Sequence, residues 1–335
     1  MFNNFYLHWV FSKMMNRKQL GKIFTIVISV VIVIILLSRV SIQDVFDTIV
    51  SINLFYLLGG FGLYCCTYIL RAFRFSLLLN RSIGVRALFP IICVHTMMTN
   101  FLPARTGEIS YVYLLKKIHS RTIGEGVATL VVARVFDFIV VIILLFVAGL
   151  FIEAVPESFS AFLWIVFFFL FFMVGLLISL IYLGDGFLKF LNTMMTHLKL
   201  DRTKFGNFIL RKGDETIGSF KKIELREHGL AITVVSMLIW IFSFSGLYVI
   251  LKGLGICLPA QNVIFGAVLT LLAGILPTPG IAGFGAGQAI WTIIYIPLGM
   301  TLDEAIISGF SWHIILIVFT AILGLFGSFM LKKQY

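Results

Sequence analysis

The chain has 335 residues, of which 60% are hydrophobic and only 12% are charged, and its mean hydropathy is +1.06. Soluble domains carry about 25% charged residues, so this composition excludes a water-soluble enzyme and predicts an integral membrane protein. The net charge of +11 suggests nucleic acid at first sight. The basic residues, however, lie in short connections between apolar runs, with no solvated basic domain, so no nucleic-acid partner is expected.

The chain contains several uninterrupted apolar segments. Each is long enough to cross a membrane as a helix, which takes about 20 residues. In chain order the six full spans predicted are 23–38, 54–71, 125–151, 160–184, 229–251 and 305–331. Two further apolar regions, 88–115 and 262–299, are broken by proline, glycine and polar residues, which stop helices. We expect both to form re-entrant hairpins, because broken backbone at membrane depth needs protein or a cavity to satisfy its polar groups.

The distribution of charge along the chain predicts the orientation of these elements. If both broken regions return to the face from which they enter, nearly all of the 26 basic residues fall on one side of the membrane. The positive-inside rule makes that side cytoplasmic. This predicts a multi-pass plasma-membrane protein with cytoplasmic N- and C-termini, and it places Arg71, Arg74 and Lys117 among the cytoplasmic residues.

The elements occur twice in the same order. Residues 20–151 and 160–331 each contain two spans, a broken hairpin and a further span, and the two halves start from opposite faces. Such inverted repeats, with broken helices in corresponding positions, are typical of transporters with a binding site near the membrane midplane. We predict a single all-α polytopic membrane domain over 1–335, in which 185–228 is a cytoplasmic interfacial connector. The alternative is that the breaks only kink helices for packing.

The first break, from Asn100 to Glu108, reads N-F-L-P-A-R-T-G-E and carries charge in an apolar region. Ionisable residues there are costly and are functional candidates by default. The planar guanidinium of Arg105 suits bidentate binding of a phosphate. Glu108 can orient Arg105, bind a cationic headgroup or carry a proton, and Tyr111 just beyond can hydrogen-bond a headgroup. An internal Arg105–Glu108 ion pair that holds the loop is the alternative.

Arg134 and Asp137 extend this candidate site on the span that follows. Their i, i+3 spacing places them on one face of a helix, where both should point into the bundle. The pattern is typical of an intramembrane salt bridge and equally of a direct contact with cargo, and both interpretations stay open.

The second break, T-P-G-I-A-G-F-G-A-G-Q, is uncharged and ends at Gln288. Gly283 and Gly285 allow close approach of the backbone and expose amide groups that can cradle an anion. Glycine for tight helix packing is the alternative. His313 on the last span is interpreted as a satisfied core group rather than a titrating site.

The sequence predicts no catalytic residue, no metal and no cofactor. No motif for nucleotide hydrolysis, serine hydrolysis or metal binding is present. The four cysteines lie in or beside apolar runs without metal-ligand spacing, as is typical of small core residues.

At these residues the chain resembles the transmembrane, flippase-like domain of the lysylphosphatidylglycerol synthase family. The resemblance rests on N-x-L-P-x-R-x-G-E (100–108), R-x-x-D (134–137) and P-x-P-G…G-F-G-x-x-Q (277–288), and with the span order it covers most of the chain. It implies a flippase or scramblase for a lipid whose headgroup is phosphate-containing, either a phospholipid or a polyisoprenyl-phosphate-linked lipid. Two positions depart from the family pattern, since Gln288 replaces a frequent Glu and Tyr111 a common Arg.

Two other functions are compatible with this sequence. One is a lipid-modifying enzyme of the phosphatidylglycerol lysyltransferase type, although the chain has no counterpart of the family's cytosolic aminoacyl-transferase domain, so synthase activity is not expected. The other is a secondary transporter of a small anion, which needs a cavity sealed from lipid rather than one open to it. The expected partners are membrane lipids with anionic or phosphate-containing headgroups, and a second copy of the chain or a separate lipid-synthesising enzyme.

Overall fold

The computed structural model describes residues 31–102, 106–152, 159, 163–169, 171–172, 175, 186, 192–194, 196–197, 203–274 and 284–333. The described residues form helices and turns and include no strand, and the prediction of an all-α membrane protein is confirmed. The described helices are α1 (Ile42–Val50), α2 (Leu54–Leu78), α3 (Val85–Phe101), α4 (Glu108–His119), α5 (Ile123–Leu150), α6 (Lys204–Lys222), α7 (Leu225–Gly253), α8 (Ala260–Ala273), α9 (Ala286–Tyr295) and α10 (Leu302–Lys333).

Four of the predicted spans are present as long apolar helices. Helices α2, α5, α7 and α10 are each long and apolar enough to cross a membrane. The second half of the predicted span 23–38 is described, and its residues 31–37 are helical, whereas the predicted span 160–184 lies largely outside the described residues. Helix α2 corrects one prediction, because it continues to Leu78 and therefore contains Arg71 and Arg74, which the charge distribution had placed in a cytoplasmic connection.

The two predicted breaks are present as interruptions between short helices. Helix α3 ends at Phe101 and α4 begins at Glu108, while α8 ends at Ala273 and α9 begins at Ala286. At 1.5 Å per residue, α3 is about 26 Å long and α8 about 21 Å long. Both are shorter than the hydrocarbon core of a membrane, which is about 30 Å thick. Their re-entry from opposite faces of a membrane stays a prediction.

The start of α4 is held against α3 by a close contact at Gly107. A Cβ on Gly107 would overlap the main chain of Met98 in α3, so only glycine lets the two backbones approach this closely. Helix α5 then begins with a capping box in which Thr122 and Glu125 satisfy each other's backbone N–H groups. These two features place Glu108 beside the middle of α5.

The same order of helices occurs in α2–α5 and in α7–α10, and the two sets pack reciprocally. Helix α2 packs on α7, α3 packs on α10, and α8 packs on α5, so the first short helix of each set lies against the last long helix of the other. The crossing of α2 and α7 is close at Gly60, whose added Cβ would lie 2.5 Å from Cδ1 of Ile250. The division into 20–151 and 160–331 as inverted repeats stays a prediction.

Large apolar side chains cover the outside of this bundle as well as its core. Phe55, Leu150 and Leu230 are each at least 80% exposed, as expected for helices that face lipid rather than water. In the connector, α6 packs on α5, where Glu215 accepts a hydrogen bond from the backbone N–H of Gly124 (2.8 Å).

Candidate binding site

A buried ion pair joins α2 to α5 in the middle of the bundle. Arg74 donates from Nη1 to Oδ1 of Asp137 (2.6 Å) and from Nη2 to Oδ2 (3.1 Å), and both side chains are at most 5% exposed. Helix α7 completes the pair, because Trp240 donates to Oδ1 of Asp137 (2.9 Å) and Ser236 accepts from Nη1 of Arg74 (3.0 Å). A bidentate, charge-assisted pair of this kind fixes geometry as well as charge, so it locks three helices together.

Arg134 connects this pair to the first break. Its Nη2 donates to Oε1 of Glu108 (2.7 Å), and both side chains are about 30% exposed. Its Nη1 lies 3.7 Å from Oδ2 of Asp137. The expected i, i+3 pair is therefore present, but each of its members has a closer partner, Glu108 for Arg134 and Arg74 for Asp137.

Arg71 is the third arginine of this cluster and differs from the other two. It lies one turn before Arg74 on α2, and no carboxylate in the described part of the chain lies within 4.0 Å of its guanidinium. Its Cζ instead faces the ring of Trp240, 6.0 Å from the ring centroid, a distance at which a cation–π attraction operates. The described charges of the cluster, three guanidinium groups and two carboxylates, leave it net positive.

A polar cavity of about 180 Å³ opens among these side chains. Arg71, Arg134 and Asp137 line it, together with His95 and Asn100 from α3. His95 is 7% exposed, and its Nδ1 is buried with no hydrogen-bond partner among the described residues. The cavity is therefore lined by His95 as a residue, while its Nδ1 is enclosed by the surrounding protein.

A second, apolar cavity of about 340 Å³ adjoins the polar one. The two share Asn100, Trp240 and Leu271 as lining residues. The apolar cavity is otherwise lined mainly by aromatic and aliphatic side chains of α7, α8, α9 and α10. Asn100 at the shared wall donates to Oγ1 of Thr320 (3.1 Å), and a 2.7 Å hydrogen bond joins that hydroxyl to Tyr64.

The second break corrects one expectation about its glycines. Gly285 has φ = +88°, which favours glycine, but its N–H donates to Oε1 of Gln288 (2.7 Å) and so caps α9 instead of facing an anion. Gln288 is buried, and its Nε2 lies 2.6 Å from Nδ1 of His313, whose ring stacks on Phe284 at 4.5 Å. His313 is thus hydrogen-bonded but only partly buried, and it lines the apolar cavity. Gly283 lies outside the described residues.

The predicted site residues are only partly brought together. Asn100, Arg134 and Asp137 line the polar cavity, and Glu108 reaches it through Arg134. Tyr111 does not line either cavity: it is fully buried, and a 3.2 Å hydrogen bond joins its hydroxyl to Thr129. Arg105 falls in the stretch 103–105, which the structure does not describe.

Sequence reasoning missed Arg71, Arg74, His95 and Trp240. The two arginines were assigned to a cytoplasmic connection because charges commonly flank a span. A signal was nonetheless present, since residues 75–79 after Arg74 read F-S-L-L-L and allow the helix to continue. With that extension, the i, i+3 spacing puts both arginines on one face.

Long apolar helices around a polar cavity define this molecule as a polytopic helical membrane protein with an internal cavity. Residues 22–324 match the family model described as the lysylphosphatidylglycerol synthase TM region. The chain therefore belongs to this family. No curated protein and no solved structure matches the chain.

Proposed function

We propose that this protein is a lipid flippase or scramblase that moves a phosphate-containing headgroup between the leaflets of the plasma membrane. The observation that carries the proposal is the pair of adjoining cavities, one positively charged and one apolar, inside a bundle of membrane-spanning helices. A phospholipid or polyisoprenyl phosphate has the same two parts, a charged head and apolar tails. The family match supports a lipid-related role in the membrane.

The physical problem that such a protein solves is the cost of a charged headgroup in hydrocarbon. Even after snorkelling and water penetration, an ionised group at the bilayer centre costs about 2.5–3.5 kcal/mol or more. Guanidinium groups on the cavity wall offset that cost with charge-assisted hydrogen bonds. In this proposal Arg105, which precedes α4 in the first break, adds a further cation to the path.

A small-anion transporter is the principal alternative, and the apolar cavity argues against it. The polar cavity alone would hold a small anion, but a solute carrier has no use for 340 Å³ of apolar space beside its site. A lysyltransferase would need a site for an aminoacyl donor, and about 180 Å³ is too small for an aminoacylated RNA. We therefore propose transport without catalysis, with membrane lipid as the partner.

The test is lipid movement by the purified full chain in liposomes. Phospholipids with natural headgroups and a fluorophore on one acyl chain are placed in both leaflets, and an impermeant quencher is added outside. We expect the inner-leaflet fluorescence to be lost faster than in protein-free liposomes. The Arg134→Gln variant should be slower, whereas Arg86→Gln, an exposed position at the start of α3, should match the wild type.

A second arm of the same experiment measures uptake of radiolabelled phosphate by the same liposomes. Lipid movement at the protein-free rate, together with phosphate uptake, would contradict the proposal and favour the small-anion transporter. A covalently modified lipid recovered after an aminoacylated RNA is added as donor would favour the enzyme instead.

A further inference from the structure

We propose that Arg71 is the principal anion-binding side chain of the polar cavity and that it binds, with Arg134, the phosphate of a lipid with a compact headgroup. The inference rests on the proposed lipid transport for the source of the phosphate, and it adds a residue and a ligand class.

Arg71 differs from Arg74 and Arg134 in how many of its hydrogen-bond donors are already paired. Arg74 is committed to Asp137 through two hydrogen bonds and to Ser236 through a third. Arg134 is partly committed, because Glu108 holds one of its amino groups. In the described part of the chain no carboxylate is paired with Arg71, and a ring face is a weaker counterpart than a carboxylate.

An anion in the cavity would complete this arrangement. A guanidinium within a membrane protein is costly without a counter-charge, and Arg71 and Arg134 line the same cavity. Guanidinium groups bind phosphate bidentately, which a lysine cannot reproduce.

The size of the polar cavity limits the headgroup. An apolar cavity of about 150 Å³ holds a benzene molecule, which has six heavy atoms. A cavity of about 180 Å³ therefore holds a phosphate, with five heavy atoms, and only a few atoms more. A six-membered ring attached to the phosphate is larger than this space, so we expect phosphatidic acid to bind more tightly than phosphatidylinositol.

The apolar cavity explains why the phosphate should belong to a lipid. It shares a wall with the polar cavity at Asn100, Trp240 and Leu271, so a molecule with its phosphate at Arg71 can extend its first apolar carbons past Trp240. A short-chain lipid taken up from water also gains from burying these CH₂ groups, a gain that free phosphate lacks.

The test is calorimetric binding to the detergent-purified full chain, with four short-chain or soluble probes. These are dihexanoyl phosphatidic acid, dihexanoyl phosphatidylinositol, uncharged dihexanoyl glycerol and inorganic phosphate. We expect the phosphatidic acid to bind most tightly. Arg71→Gln should weaken its binding about ten- to a hundred-fold, as for the loss of one charge-assisted hydrogen bond. Arg71→Lys should recover only part, and the exposed Arg86→Gln should bind like the wild type.

Each contrary outcome contradicts a stated part of the proposal. Unchanged binding by folded Arg71→Gln would exclude Arg71 as the principal ligand, and equal binding of phosphatidic acid and phosphatidylinositol would exclude the size limit. Inorganic phosphate binding as tightly as phosphatidic acid would make the ligand a free phosphate. If neither Arg71 variant folds, binding by the wild type still tests the proposal. Dihexanoyl glycerol binding to the wild type as tightly as phosphatidic acid would exclude recognition of the phosphate.

Measuring lipid movement in liposomes beside binding in detergent distinguishes a failure of this inference from a failure of the proposed function. Arg71-dependent binding of phosphatidic acid without lipid movement would contradict transport and leave the site intact. Lipid movement at the wild-type rate by Arg71→Gln, with unchanged binding, would leave transport intact and contradict the role of Arg71.

Discussion

At the scale of single residues, Asp137 is the acceptor around which the cluster is organised. Its two carboxylate oxygens receive Arg74 from α2 and Trp240 from α7, and Arg134 lies beside it on α5. With all of these positive or donating groups directed at it, Asp137 serves the cohesion of the three helices. In the proposed mechanism, anion binding is therefore assigned to the arginines that Asp137 leaves incompletely paired.

The variant Asp137→Asn should unfold more easily than the wild type. Removing one charge of a buried pair leaves the Arg74 guanidinium uncompensated, which costs about 3–5 kcal/mol. The measurement is thermal unfolding in detergent, with Asp303→Asn at an exposed position of α10 as the control that should stay close to the wild type. Equal stability of Asp137→Asn and wild type would show that the pair does not hold α2 to α5.

The variant Glu108→Gln should bind phosphatidic acid more tightly, because Glu108 competes with an anion for Arg134. A partly exposed ion pair contributes about 0.2–1 kcal/mol, so the gain should be at most about five-fold. Calorimetry with dihexanoyl phosphatidic acid measures it. Weaker binding would mean that Glu108 orients Arg134 for the ligand rather than competing with it.

At the scale of helices, the first break is shaped by a close contact as well as by proline. Gly107 lets the start of α4 lie against the main chain of Met98 in α3, and this places Glu108 within reach of Arg134 on α5. Because His95 and Asn100 also lie on α3, the same contact sets one wall of the polar cavity.

The variant Gly107→Ala should therefore lower both stability and anion binding. The added methyl group would overlap backbone atoms of Met98, which cannot swing aside as a side chain can, and overpacking of this kind costs about 1–3 kcal/mol. Thermal unfolding and phosphatidic acid binding are measured on the same preparation. Gly229→Ala in α7 is the matched control, since nothing lies within 4 Å of its added Cβ. A Gly107→Ala protein as stable as this control would contradict the contact.

At the scale of the whole molecule, orientation in the membrane is the main prediction still to be tested. With re-entrant hairpins, a cysteine at Lys117 should be labelled only from the cytoplasm and one at Asp303 only from outside. The accessible native cysteines, Cys65, Cys66 and Cys257, are first replaced by serine, whereas buried Cys93 is kept.

The measurement is labelling with an impermeant maleimide. Intact cells report the cysteines that face the outside, and opened cells also report those that face the cytoplasm. The Asp303→Cys and Lys117→Cys variants serve as each other's controls, since each should react where the other does not. Reaction of Lys117→Cys in intact cells would mean that the first broken region crosses the membrane, and the inverted repeat would then be wrong.

The sequence by itself predicted the four long helices and the interruptions between the short ones. Apolar length predicted α2, α5, α7 and α10, since some 20 apolar residues form a helix in lipid whatever their neighbours. Proline and glycine predicted the interruption before Glu108. The i, i+3 spacing placed Arg134 and Asp137 on one face, because that relation depends only on the geometry of a single helix.

Only the tertiary structure decided which charges are paired with a carboxylate and which are not. Arg74 meets Asp137 across 63 positions of sequence, and that meeting depends on α2, α5 and α7 packing side by side. A buried charge requires a partner, but the sequence does not show which residue that partner is. Once Asp137 is taken by Arg74, and Glu108 by Arg134, Arg71 is left facing a cavity that exists only because distant helices enclose it.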